Sequence, residues 1–197
     1  MKSKTLLQVG LCALPSIGLV LFLRTLFLYA STAPVSFDGA MNLNTAASFA
    51  GGTGYGFFYN EFFPFPAQTD GPFILPAALL IRLFGVTPLV TQAVNVVYIV
   101  LLIALLIALL KRLGLPLWAA LVGTLLTVSV PGFAEYGMNG YGEIPSLAWY
   151  VAGLLAIGAA FDTGTSRSNA FFGGACLSLA YLTKVVALAL VVPVAAV

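Results

Sequence analysis

The chain contains no histidine, and only 7% of its 197 residues are charged. The first absence removes the commonest general base at neutral pH and the commonest metal ligand. The second sets the chain apart from soluble domains, in which about a quarter of residues carry charge. With 61% hydrophobic residues and a mean hydropathy of +1.07, the sequence reads as an integral membrane protein. Cysteine is scarce too. Cys12 and Cys176 lie far apart inside apolar runs, so neither a disulfide framework nor a CxxC metal site is legible, and both read as buried structural thiols. A net charge of +2 is too small to point to nucleic acid as a partner.

What is abundant is apolar sequence. Lys2 and Lys4 precede an apolar run over 6–30. That run is too long for a signal-peptide core, and YASTAP offers no small-x-small cleavage site, so it reads as an uncleaved first span. The excess of basic residues on cytoplasmic segments places the N-terminus in the cytoplasm. Further spans are expected at about 88–110, 115–131, 144–161 and 170–197, with outside loops over 31–87 and 132–143. The apolar segment 73–84 is too short to span, since a crossing needs about 20 residues. It carries Pro76 and Arg82, ends at Gly85, and reads as a helix on the outer interface. Lys111-Arg112-Leu113-Gly114 and DTGTSRSN, which contains Arg167, read as cytoplasmic turns. Arg24 reads as a side chain snorkelling to the outer surface. The expected fold class is all-α: a polytopic membrane helix bundle, one transmembrane domain, with interfacial helices in the first outside loop. Because the chain stops at Val197 within an apolar run, it is expected to be the N-terminal portion of a longer protein.

The exception to this apolar character is the stretch 36–72. It holds three of the six acidic residues, Asp38, Glu61 and Asp70, among several amides and aromatics. Polar groups in so apolar a chain are costly unless solvated or paired, which makes this loop the first place to look for chemistry. Asp38 opens a segment whose Ala40, Leu43, Ala47 and Ala50 fall on one helical stripe, the pattern of an interfacial helix. Asp38 either caps that helix or holds a carboxylate at the water–lipid boundary, where it can take a proton from an incoming nucleophile. GGTGYG over 51–56 does not match a dinucleotide-binding spacing and reads as a turn. Glu61 and Asp70, on either side of FFPFPAQT, are either solvated loop acids or part of a polar pocket. Such a pocket would hold sugar hydroxyls or a divalent ion, with aromatics such as Tyr59 stacking on a sugar face. No clear metal-ligand set is legible, and the cofactor is left unassigned. Glu135 and Glu143 present the same choice in the second outside loop, Glu143 heading the fourth span within NGYGEIP. Lys184, in AYLTKVVA, is an intramembrane cation and therefore a functional candidate. Its natural partner is a lipid phosphate or one of the loop acids.

These residues, taken in order, resemble a family. A basic start to the first span, Asp38 in the first outside loop, Asp70-Gly71-Pro72 followed by LP and LFG, a helix ending KRLG, GYGE opening the fourth span and LAYLTK in the fifth together look like the polyprenyl-phosphate-dependent C-type (GT-C) glycosyltransferases. The protein O-mannosyltransferase and aminoarabinose-transferase branch is the nearest in kind. The resemblance covers the whole chain and is carried by the order and spacing of its motifs. It implies inverting transfer of a sugar from a polyprenyl-phosphate donor to a glycan, lipid or protein acceptor at the outer, periplasmic face of the plasma (inner) membrane. Asp38 would be the base or acceptor-orienting group. Lys184, next to Thr183, would stand near the donor phosphate, with Arg82 as a second cation for the leaving group; Asp70, Glu143, Glu61 and Tyr59 would contact substrate. Gly39 stands where mannosyltransferases often carry a second acid, and Asp70-Gly71-Pro72-Phe73 stands where the aminoarabinose branch has Glu-His-Pro-Pro. The competing reading is a transporter or flippase-like protein. Transporters place polar groups at mid-bilayer, whereas the second span carries Gln92 and Asn95 near its outer end and no charge before Lys111.

Overall fold

A computed structural model describes residues 2–30, 35–58, 64–66, 71–162 and 166–187 of the chain. Its helices follow the apolar runs. Helix α1 is Lys2–Ala30, α2 Phe37–Gly51, α3 Gly71–Phe84, α4 Pro88–Arg112, α5 Leu117–Val128, α6 Pro131–Met138, α7 Glu143–Asp162 and α8 Arg167–Thr183. Between α2 and α3 a short antiparallel pair, β1 (Gly56–Phe58) and β2 (Pro64–Pro66), sets Gly56 opposite Pro66. The chain is thus an all-α bundle with one small hairpin. Among the described residues three segments, Gln8–Tyr29, Pro88–Arg112 and Glu143–Asp162, are long and apolar enough to cross a membrane; counting α5 and α6 as one broken span makes four.

Local chemistry explains the element ends. Pro88 occupies the first turn of α4, after Thr87 in an extended conformation, where a missing N–H costs nothing. Lys111 and Arg112 fill the last turn of the same helix, where cations complement the helix dipole. Helix α2 starts on Ser36, whose hydroxyl accepts from the Gly39 N–H. It ends on Gly52 at φ 78°, a left-handed position that costs glycine nothing.

Packing fixes the directions of the helices. Helices α4 and α7 run side by side and parallel: Asn95 meets Tyr141 just before α7 begins, and Arg112 pairs with Asp162 at the far ends. Helix α8 returns antiparallel along α7 through two glycines. A Cβ at Gly153 would sit 2.8 Å from Leu177, and one at Gly173 2.6 Å from Ile157. Small residues let helix backbones approach where lipid supplies no hydrophobic drive. Helix α1 lies along α5 and α6, with the Phe22 and Phe133 rings 6.1 Å apart. The core runs between these helices through the fully buried Phe73, Ile74, Ile99, Leu102, Val128 and Met138.

One expectation is corrected. The span expected at 115–131 is a helix of only 12 residues, α5; the chain then bends by 69° into α6, inside the segment read as loop 132–143. The bend comes from Pro131 starting a new helix behind an extended Val130, since a residue before proline is pushed out of the helical region. Within the run 170–197 the sequence leaves open whether Lys184 lies inside one long helix or at a break; among the described residues it stands just past the end of a helix. Helix α8 stops at Thr183, Lys184 is extended at φ −158° and ψ 120°, and one 3-10 turn, Val185–Ala187, follows. Helix α2 packs against the rest of the protein on a side other than its Ala40–Leu43–Ala47–Ala50 stripe, as an interfacial reading of that stripe allows. Gly39, Met41, Asn42, Thr45 and Ala46 are buried, while Ala40 is exposed and the other three pack only partly against the core.

Candidate functional site

The site is built around the turn 139–142, which leads into α7. Three side chains from two segments clamp this turn. The Ser36 hydroxyl donates to the Asn139 carbonyl at 3.1 Å, and the Asn42 amide donates to the Gly140 carbonyl at 2.8 Å. From α4, the Asn95 amide donates to the Tyr141 carbonyl at 3.2 Å. Two glycines make the approach possible. A Cβ on Gly39 would fall 1.9 Å from the Asn139 carbonyl oxygen, and one on Gly140, which is at φ 72°, would fall 3.2 Å from Gly39 Cα and from the Thr91 hydroxyl. This contact explains why Gly39 stands beside Asp38. A second acidic side chain there has no space.

Asp38 therefore sits in the first turn of α2, next to the residue that touches the turn. It does not cap the helix, because Ser36 does. It is half-buried, and among the described residues no hydrogen bond or ion pair holds its carboxylate. Ser36 went unnoticed in the sequence, although serine ahead of an amphipathic run is a recognised cap signal.

Glu143 is the first residue of α7, three positions past Gly140, and a carboxylate there is favoured by the helix dipole. One of its oxygens, Oε1, lies 3.0 Å from Lys184 Nζ, with the two side chains 31% and 23% exposed. Its Oε2 is buried without a hydrogen-bond partner, as is Asn95 Oδ1. An unpaired buried acceptor carries its full desolvation cost, so both are sites where a donor would be welcome. Lys184 reaches Glu143 because α8 ends there. The Ser146 hydroxyl helps to hold that end, donating to the Ala180 carbonyl at 2.8 Å. Thr91, Gln92 and Asn95, all buried on α4, complete a polar layer at this end of the bundle.

The structure does not bring every nominated residue here. Arg82 Nε donates to the Ala50 carbonyl at 3.1 Å, at the far end of α2 from Asp38. Twelve residues of helix separate the two positions by about 18 Å. Arg82 ties α3 to the end of α2, whereas Lys184 pairs with Glu143, which follows the turn. Glu135 is exposed on α6. Tyr59, Glu61 and Asp70 lie outside the described residues, and so does the pocket read from them; Pro72, just beyond, is anchored by the Tyr98 hydroxyl, which donates to its carbonyl at 2.6 Å. Among the described residues no three His, Cys, Asp or Glu side chains converge to hold a metal ion, and Glu143 is engaged by Lys184. No protein-family model matches the chain, and no curated protein or solved structure is detectably similar to it.

Proposed function

We propose that the protein is a membrane glycosyltransferase that moves a sugar, with inversion, from a polyprenyl-phosphate donor to an acceptor at the face of the membrane where α7 begins. The observation that carries this reading is the separation of charges around one turn: a carboxylate with no capping duty, Asp38, on one side and a cation, Lys184, on the other. Asp38 accepts the proton of the attacking hydroxyl, a role worth about 10²–10⁴-fold in rate. Lys184 stabilises the phosphate that leaves, a preorganised charge aimed at where negative charge develops. By the bias of basic residues toward the cytoplasm, this face is the outer one of the plasma membrane, with the N-terminus inside.

The transporter or flippase reading gains one observation, since the α5–α6 pair is a helix broken by a 69° bend, as transporters often use. It loses on position. Glu143 and Lys184 sit at helix ends, whereas a transport site belongs near mid-bilayer.

The test is sugar transfer from a polyprenyl-phosphate sugar by the full chain in proteoliposomes. Asp38→Asn should cut turnover by about 10²–10⁴-fold with little change in stability. Ser36→Ala should do the reverse, costing about 1 kcal/mol of stability and little activity. Turnover in Asp38→Asn near that of the unaltered protein removes the assignment, and labelled substrate crossing the bilayer without transfer selects the transporter.

A further inference from the structure

Glu143 belongs to two features at once. Besides holding Lys184, it lines an apolar groove of about 410 Å³ that runs between α5–α6 and the start of α7, walled by Thr127, Val130, Phe133, Tyr136 and Leu147. Glu143 thus joins the groove wall to an ion pair whose cation, Lys184, stands 3.0 Å behind it. Lys184 leaves extended backbone beyond the last turn of α8, so its side chain is not fixed by helix packing. Its ammonium has three donors, and the pair with Glu143 leaves it capacity for another acceptor. Glu143 is nearly a third exposed, so a carboxylate displaced from Lys184 can turn to water rather than stay buried and unpaired.

An apolar trough with a cation behind its wall selects an amphiphile with a negative head. The trough takes the chain out of water, and the cation takes the head. Inorganic phosphate lacks the chain, and a neutral prenol lacks the head. Glu143 stands in the way, because it occupies the same ammonium and repels a second anion.

We propose that a lipid phosphate docks with its chain in this groove and its head on Lys184, displacing Glu143, so that the Glu143–Lys184 pair gates the site. The ligand class rests on the transferase reading; the gate rests on the geometry of the pair and the groove. Competition for one cation is a coupling between two sites, typically about 5–150-fold in affinity.

The experiment measures binding of farnesyl phosphate, farnesol and inorganic phosphate to the purified full chain in nanodiscs. Farnesyl phosphate should bind more tightly than farnesol, and inorganic phosphate should bind weakest. Glu143→Gln should tighten farnesyl phosphate by about fivefold or more and leave farnesol unchanged. The double variant Glu143→Gln/Lys184→Met leaves neither charge unpaired and should bind the two lipids alike. Thr127→Phe, which narrows the groove from an exposed position, should weaken both. Unchanged or weaker farnesyl phosphate binding in Glu143→Gln overturns the gate, and unchanged binding in Thr127→Phe overturns the groove. If the gate fails while sugar transfer persists, the transferase reading stands without it. If Glu143→Gln tightens farnesyl phosphate and no sugar is transferred, the docking site stands and the transferase reading falls.

Discussion

The two ends of the bundle each carry one ion pair between helix termini, yet they are built differently. Where α7 begins, Glu143 and Lys184 are both mostly shielded, and Thr91, Gln92 and Asn95 are buried one or two turns into α4. Backbone carbonyls of the adjoining turn are held by side chains from two other segments. At the opposite end Arg112 pairs with Asp162, but Asp162 is 68% exposed, and Lys111 and Arg167 around it are exposed as well. Helix α4 shows the contrast within a single element: polar and buried near Pro88, apolar through its second half, charged and exposed at Arg112. A solvated pair costs a protein little and does little for it. A shielded pair with an unsatisfied oxygen is expensive, and among the described residues it occurs at one end only, which makes that end the candidate site.

The largest effect that could break this comparison is all-or-none. If the ends lie on opposite sides of a membrane, a cysteine at Ala40 should react with an impermeant thiol reagent from outside and one at Leu113 should not, with Cys12 and Cys176 replaced. Both positions are exposed. Labelling of both from the same side removes the two-ended membrane arrangement. Next in size is Gly39→Ala, whose new methyl would collide with a backbone carbonyl that the Ser36 hydroxyl also holds. Overpacking of this kind costs about 1–3 kcal/mol, read as a lowered midpoint of unfolding in mixed micelles. An unchanged midpoint would show that the turn is not tightly clamped. Asn42→Ala removes only one clamp and should cost about 1 kcal/mol in the same measurement. A null result there would shift the weight of the clamp to Ser36 and Asn95.

Much of the fold was legible from composition. The runs that became α1, α4 and α7 are long and apolar, and Pro88 and the Lys111–Gly114 turn mark the ends of α4 chemically. The α5–α6 bend was not, because hydropathy passes smoothly from Val128 to Phe133 and says nothing about direction. Pro131 was the available signal, and it was read as the end of a span rather than the start of a helix. The face that α2 packs on protein was not legible for a different reason. Alanine and leucine spacing marks an apolar stripe for the interface, whereas the side chosen by packing is the one whose Gly39 lets another backbone come close. Within the site, Asp38, Glu143 and Lys184 each stood out as charges in apolar surroundings. That Glu143 and Lys184 meet depends on α8 stopping at Thr183, which no local residue announces. Arg82 stood out equally and was drawn elsewhere by the Ala50 carbonyl.

The smallest expected effect is at the far end, and it sharpens the comparison most directly. Asp162→Asn removes the anionic partner of Arg112 while keeping the side chain's size. Arg112 does not depend on that partner for its place, because its guanidinium lies over Gly158, where a Cβ would come within 2.7 Å of Nε. With Asp162 largely in solvent, the pair is worth about 0.2–1 kcal/mol, and added salt should erase even that, since exposed charges are screened within about 8–10 Å at ordinary ionic strength. The variant should therefore unfold near the midpoint of the unaltered protein, transfer sugar at its rate, and show no difference at high salt. A loss beyond about 2 kcal/mol, outside the range of exposed pairs, or a fall in transfer with stability intact, would mean that this end is organised too. The contrast that picks out the Asp38–Glu143–Lys184 end would then no longer hold.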